Sequence, residues 1–248
     1  MKQVIEIKGN YGKCYFCDLF DKDYGLPTFE KKQWDLCLTD PPYNIGKGII
    51  NRAAKARKRT IEYYPDNMSE EEYHQFSQEW FELADQKAER IVFTPGSMNF
   101  RWWINNYSGL DFIIHYNRGR GAEQLNAKLS LHEPILTWNV NKNTGKFMFS
   151  VYAIHSDVKE TLPISHPCPK NSRLWRKIIQ DLKPISVIDP FIGSGTTAEI
   201  CEEYGIPWIG FEKSLKYVKN VRSKIKRGQN NFRKNYQNKQ QNITSFFK

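Results

Sequence analysis

The feature that most constrains this chain lies near its far end. An apolar run, Ile185-Ser186-Val187-Ile188, breaks into Asp189-Pro190-Phe191-Ile192-Gly193-Ser194-Gly195, and helix-compatible residues Thr196 to Glu203 lead to a second apolar run, Trp208-Ile209-Gly210-Phe211. Strand, glycine loop, helix and strand form a βαβ unit, which predicts an α/β fold with a mainly parallel mixed sheet. Gly193-x-Gly195 lets bare backbone approach a ligand while a helix N-terminus faces an anionic group. Glu212 follows the second strand, 19 residues after Gly193, where an acidic side chain can accept hydrogen bonds from both ribose hydroxyls. On residues alone, a dinucleotide cofactor also fits, with Ala198 in the place of a third glycine, and so does a plain tight turn. A phosphate loop fits less well, because no Gly-Lys-Ser/Thr follows.

A second landmark lies far upstream. The apolar run Asp35-Leu36-Cys37-Leu38-Thr39 reads as a buried strand that delivers Asp40-Pro41-Pro42-Tyr43 at its carboxyl end, the end where open α/β sheets bind ligands. Asp-Pro-Pro is also an ordinary turn signal. Its pairing with the downstream glycine loop, and the order of the two, decides between the readings.

The two motifs, catalytic first and cofactor second, resemble those of the β class of DNA amino-methyltransferases. His166-Pro167-Cys168-Pro169-Lys170 resembles that family's remaining cofactor motif, with Asn171 in place of the usual proline, and the similarity spans about Trp34 to Val221. The resemblance implies a Rossmann-like, S-adenosylmethionine-dependent methyltransferase fold with circularly permuted motif order. It assigns Asp40, Pro41, Pro42 and Tyr43 to catalysis. Phe191, Gly193, Gly195, Thr196 and Thr197 would line the methionine end of the cofactor and Glu212 would hold its ribose, with Asp189, Ser194, Lys170 and Asp40 completing the set. Asp at position 40 resembles the adenine-directed members more than the cytosine-amine members. His132-Glu133-Pro134-Ile135-Leu136 resembles a recurrent family segment and reads as structural. Pro167-Cys168 also resembles part of the carbon-5 cytosine enzymes, but their motif order is the opposite one.

This chemistry suits the residues. An exocyclic amine is a poor nucleophile because its lone pair is delocalised into the ring. Acceptors on Asp40 and the Pro41 carbonyl, preorganised by two prolines, would favour a more tetrahedral nitrogen aimed at the sulfonium methyl. Tyr43 offers a flat face for a base extruded from the duplex, and direct in-line transfer follows.

Elsewhere, Ser69 and Glu72 predict a capping box opening a helix with Phe76, Trp80, Phe81 and Ala84 on one face. Strands are predicted around Arg90–Phe93, Phe112–Tyr116 and Leu131–Trp138, and a helix over Trp175–Leu182. Target choice is expected from 139–165, where Lys142, Asn143, Lys146, Tyr152 and His155 could reach base edges or phosphates, and as a second candidate from the basic loop carrying Lys47, Arg52, Lys55, Arg57, Lys58 and Arg59.

The net charge of +10 is uneven: Lys213 to Lys248 carries eleven Lys/Arg and no acidic residue, which favours phosphate contact. The domain reading is a catalytic domain over 1–221, a basic flexible linker over 222–239 and a docking peptide over 240–248. In that peptide Gln240, Ile243, Phe246 and Phe247 resemble the motif that binds the PCNA sliding clamp through a short 3₁₀ turn, which implies an archaeal, eukaryotic or viral host. Five cysteines and a lone Cys14-x-x-Cys17 predict neither a disulfide framework nor a metal site. With no bilayer-length apolar run and no signal-like start, the chain reads as intracellular and associated with double-stranded DNA.

Overall fold

A computed structural model describes residues 4–44, 68–116, 123–125, 128–130, 132–140, 151–154 and 170–246. Its sheet runs β1 (Ile5–Lys8), β2 (Gly12–Phe16), β3 (Trp34–Thr39), β4 (Ala88–Phe93), β5 (Asp111–Tyr116), β8 (His132–Trp138), β9 (Val151–Ala153), β10 (Val187–Asp189) and β11 (Trp208–Phe211), and a separate hairpin joins β6 (Glu123–Leu125) to β7 (Lys128–Ser130). The helices are α1 (Glu70–Lys87), α2 (Phe100–Asn106), α3 (Ser172–Leu182), α4 (Thr196–Tyr204) and α5 (Val218–Phe246).

The spatial order is β1-β2-β11-β10-β3-β4-β8-β5-β9. Strands β2, β11, β10, β3 and β4 pair in parallel, while β1 on one side and β8 on the other pair antiparallel. This is the mixed, mainly parallel sheet that the βαβ pattern predicts. Strands β3 and β10 are neighbours although far apart in sequence. From this pair the chain winds outward both ways, through α1 to β4 and through α4 to β11. That divergence leaves a crevice at the carboxyl ends of β3 and β10, where α/β sheets bind ligands.

Helices cover both faces. Leu174, Trp175 and Ile178 of α3, Ala198 and Ile200 of α4, and Val221 and Ile225 of α5 pack on one side. Trp80, Phe81 and Ala84 of α1 and Trp103 of α2 pack on the other. The capping box is as predicted: Ser69 Oγ accepts from Glu72 N at 3.1 Å, and Glu72 Oε2 accepts from Ser69 N at 2.8 Å.

Three findings differ from the sequence reading. Residues 222–239 are not a flexible linker; they belong to α5, which packs along α4, so the folded body does not stop at 221. Glycine costs a helix interior about 1 kcal/mol relative to alanine, but a Cβ at Gly228 would sit 2.2 Å from Glu199 O, so only glycine admits this close approach. Glu199 then binds Lys224 Nζ at 3.0 Å and Arg227 Nε at 2.5 Å. The helix continues through Phe246, so Gln240, Ile243 and Phe246 lie in its last turns rather than in a 3₁₀ turn, and Phe247 lies outside the described residues.

Tyr152 is not available to a base edge. It is buried in β9 and donates to Asp181 Oδ2 at 2.6 Å. Lys47, Arg52, Lys55, Arg57, Lys58, Arg59, Lys142, Asn143, Lys146 and His155 lie outside the described residues. Strands β1 and β2, the short β9 and helix α2 were not foreseen.

Candidate active site

The two motifs meet through one hydrogen bond. Thr39, the last residue of β3, donates to Asp189 Oδ1 at the end of β10 at 2.7 Å. Asp189 also accepts from Phe191 N at 3.1 Å and, through Oδ2, from the Thr197 hydroxyl at 2.6 Å. Thr197 Oγ1 in turn accepts from Trp175 Nε1 at 3.1 Å. Asp189 and Thr197 are thus struts that set the shape of the glycine loop. Burial pushes the Asp189 carboxyl up to about 6 against these donors.

The loop offers a polar cradle. Gly193 and Gly195 have φ of 53° and 93°, in the left-handed region that favours glycine, and a Cβ at Gly195 would meet Val221 Cα at 3.1 Å. Ser194 and Thr196 are buried, and the Thr196 hydroxyl has no hydrogen-bond partner among the described residues. An orphaned donor at the first residue of α4 calls for an external acceptor. Across the loop, Glu212 is held by the Ser214 N–H at 2.7 Å. Burial raises its carboxyl to about 7 although backbone N–H groups of Ser214 and Gly193 oppose the shift. Phe191 packs edge-on against Trp80, ring centroids 5.6 Å apart, and closes the cradle toward α1.

At the end of β3, Asp40 Oδ1 accepts from Thr94 Oγ1 at 2.5 Å, from Lys170 Nζ at 3.0 Å and from the Tyr43 hydroxyl. Tyr43 OH also accepts from Lys170 Nζ at 2.5 Å. Lys170 is shared with Glu133 Oε1 at 2.6 Å, and the other Glu133 oxygen faces His115 Nδ1 at 3.5 Å. Burial opposes the Glu133 charge, but the Lys170 ammonium and the His115 contact outweigh it and hold the carboxyl at about 2. Burial raises Asp40, with Lys170 pulling it down and Glu133 pushing it up.

The loop backbone is equally fixed. Tyr73 OH donates to Pro42 O at 3.1 Å and Asn99 Nδ2 to Tyr43 O at 2.8 Å. Asn44 grips Met68 at both its N–H (2.9 Å) and its carbonyl (3.0 Å). Asp40 Oδ2 and the carbonyl of Pro41 are among the loop acceptors that stay unengaged among the described residues.

The structure therefore brings Asp40, Pro41, Pro42, Tyr43 and Lys170 together at one pole, and Phe191, Gly193, Ser194, Gly195, Thr196 and Glu212 at the other. Sequence reasoning missed Thr94, Asn99 and His115, and it read Glu133 as structural. A charged residue followed by proline at the mouth of the apolar Ile135-Leu136 run was the available signal for Glu133.

Residues 107–223 match the N6_N4_Mtase family model, described as a DNA methylase. The chain is 25% identical over 228 residues to the Type II methyltransferase M2.DpnII of Streptococcus pneumoniae, covering 81% of this chain and 85% of the relative. It is 22% identical over 235 residues to the Type II methyltransferase M.HpaI of Haemophilus parainfluenzae, covering 81% and 70%. Solved structures of similar fold include the PvuII DNA methyltransferase, described as cytosine-N4-specific, with a TM-score of 0.61 and 16% identity over 91% of this chain and 93% of that one. The M1.HpyAVI–SAM complex gives 0.54 and 19% over 86% and 99%.

Fold and site define a Rossmann-like, S-adenosylmethionine-dependent methyltransferase. Over residues 107–223 the chain is similar to the DNA methylases of the N6/N4 family, and the relatives it resembles along most of its length are Type II methyltransferases.

Proposed function

We propose that this enzyme methylates the exocyclic amine of adenine in a short double-stranded DNA site, after flipping the base out of the duplex. The observation that carries the reading is the pair of unengaged acceptors, Asp40 Oδ2 and Pro41 O, while Pro42 O and Tyr43 O are occupied. An amine has two protons to place, and these two acceptors suit them. Thr94, Tyr43 and Lys170 fix Asp40 through its other oxygen, so the acceptor is positioned before the base arrives. Tyr43, anchored at its hydroxyl and its carbonyl, presents its ring as the platform on which the flipped base stacks.

S-adenosylmethionine, when bound, supplies an electrophilic sulfonium methyl. The polar cradle fits it: the Thr196 hydroxyl, buried Ser194 and the backbone at the start of α4 suit its methionine end, and Glu212 suits its ribose. Asp40 on β3 and the glycine loop after β10 are tied by the Thr39–Asp189 bond, so base and methyl donor are held in one frame, and positioning supplies much of the acceleration.

Adenine rather than cytosine rests on the resemblance of Asp40-Pro41-Pro42-Tyr43 to adenine-directed members. Against it stands the similarity in fold to a methyltransferase described as cytosine-N4-specific. Product analysis on genomic DNA separates the two, since N6-methyladenine and N4-methylcytosine differ in mass and retention. The relatives are bacterial Type II methyltransferases, which supports action at a defined restriction-modification site.

The C-terminal segment carries a separate proposal, docking on a PCNA-type clamp through Gln240, Ile243, Phe246 and Phe247. It rests on the residue pattern, and the bacterial relatives do not favour it. Replacing Phe246 and Phe247 with Ala should abolish binding to immobilised clamp while sparing methylation of free oligonucleotides; unchanged clamp affinity would dispose of it.

A further inference from the structure

The cations of α5 divide into two sets. Those turned inward are neutralised: Lys224 is 1% exposed and pairs with Glu199, which also binds Arg227. Those turned outward have no partner among the described residues. Lys219, Arg222, Lys226, Arg233 and Lys234 are all exposed, and none makes an ion pair or hydrogen bond there through its side chain. At 100° per residue they fall within a face roughly 120° wide, and exposed Ser223, Asn230 and Gln237 complete it. No acidic residue occurs from 213 to the end of the chain to interrupt that face.

The placement of this face matters. Helix α5 starts beside the glycine loop, where Val221 abuts Gly195, and by Phe232 it has reached Gly205 and Tyr11. The cations from Lys219 to Arg233 span about 21 Å of helix, on an element locked to α4 by the Gly228 approach and the Glu199 cluster. Unpaired charges of one sign held rigid over that length repel one another, and a solvated surface helix ordinarily intersperses acidic residues among its cations. A uniformly cationic and amide-lined face matches a regular polyanion.

We propose that the outer face of α5 binds the phosphate backbone of duplex DNA outside the methylated site, independently of sequence. This rests on the reading of DNA as substrate. It gives the enzyme a second, purely electrostatic hold on the duplex, suited to capture and sliding rather than to target choice.

The test uses the full chain with Lys219→Gln, Arg222→Gln, Lys226→Gln and Arg233→Gln combined. Affinity for a long duplex without target sites is measured by fluorescence anisotropy across a salt series. Each lost phosphate contact should reduce the slope of log K against log salt by about 0.9, so the four-residue variant should lose about 3.6. Cofactor affinity and single-turnover methylation of a short duplex that covers only the site should be unchanged. An unaltered slope and affinity for the long duplex would overturn the proposal. If wild type binds DNA with the predicted slope difference yet methylates no DNA, the helix face stands and the substrate reading falls.

Discussion

Lys170 places one ammonium between two carboxylates, 2.6 Å from Glu133 Oε1 and 3.0 Å from Asp40 Oδ1. The two acids respond oppositely: Glu133 is held at about 2 while Asp40 is raised. Lys170 lies nearer Glu133 than Asp40, and the second Asp40 oxygen stays unengaged among the described residues. The groups facing Asp40 are Lys170, Glu133, Tyr43 and Thr94, with Asp189 behind them across the crevice.

Asp40→Ala should reduce kcat by a factor on the order of 10²–10³, the cost of removing a single preorganised group. Cofactor affinity should change by only a few fold, because the acceptor acts on the amine. Single-turnover kinetics with calorimetric cofactor titration separate the two. Full activity in this variant would remove Asp40 from the mechanism.

Glu133→Gln removes one carboxylate and leaves the whole ammonium to Asp40. Asp40 then becomes more acidic, so the acid limb of the kcat/KM profile should move to lower pH. The tighter ion pair also weakens Asp40 as an acceptor, and kcat should fall roughly tenfold, the free energy of about one hydrogen bond. A fall in kcat with an unmoved acid limb would mean that Glu133 is only structural.

Cofactor binding should strengthen as pH rises through about 7. Burial raises Glu212 to about 7, so below that pH the carboxyl is protonated and is a poorer acceptor for ribose hydroxyls. Binding should therefore release a proton near neutral pH, visible as a buffer-dependent calorimetric enthalpy, and Glu212→Gln should lose both the pH dependence and much of the affinity. In the free protein the sign is reversed. The raised values of Glu212 and Asp189 favour the folded state below the ordinary carboxylate range, and that contribution is lost as pH rises through about 6 to 7.

Glu199→Ala should destabilise the fold by about 3–5 kcal/mol, because it removes the carboxylate that pairs with buried Lys224. Urea titration measures this, and adding Lys224→Met should restore much of the loss. A tethered, unpacked C-terminal segment would show neither effect.

The motif-bearing half of the fold was legible because its signals are local. An apolar run followed by Asp189-Pro190 or Asp40-Pro41 marks a strand end, and Gly193-x-Gly195 marks a helix entry. Helix α5 was illegible for the opposite reason. Its polar, basic sequence looks like a linker until Glu199, Glu202 and Glu203 of α4 are placed opposite, with Glu202 also accepting from Asn10 N and Tyr11 N at 2.9 Å and Trp208 Nε1 at 2.8 Å. Likewise, nothing near Glu133 in sequence announces that Lys170 and Asp40 meet it; only the adjacency of β3, β4 and β8 does. The motif points to acceptors on Asp40 and Pro41, but which Asp40 oxygen is engaged depends on Thr94 and Lys170, distant in sequence.

The most direct test incubates the purified enzyme with unmethylated genomic DNA and labelled S-adenosylmethionine, then digests to nucleosides for mass spectrometry. Labelled N6-methyl-2′-deoxyadenosine should be the product, formed far more slowly with Asp40→Ala. Label on a cytosine amine would contradict the base assignment, and an unlabelled digest would contradict DNA methylation by this site altogether.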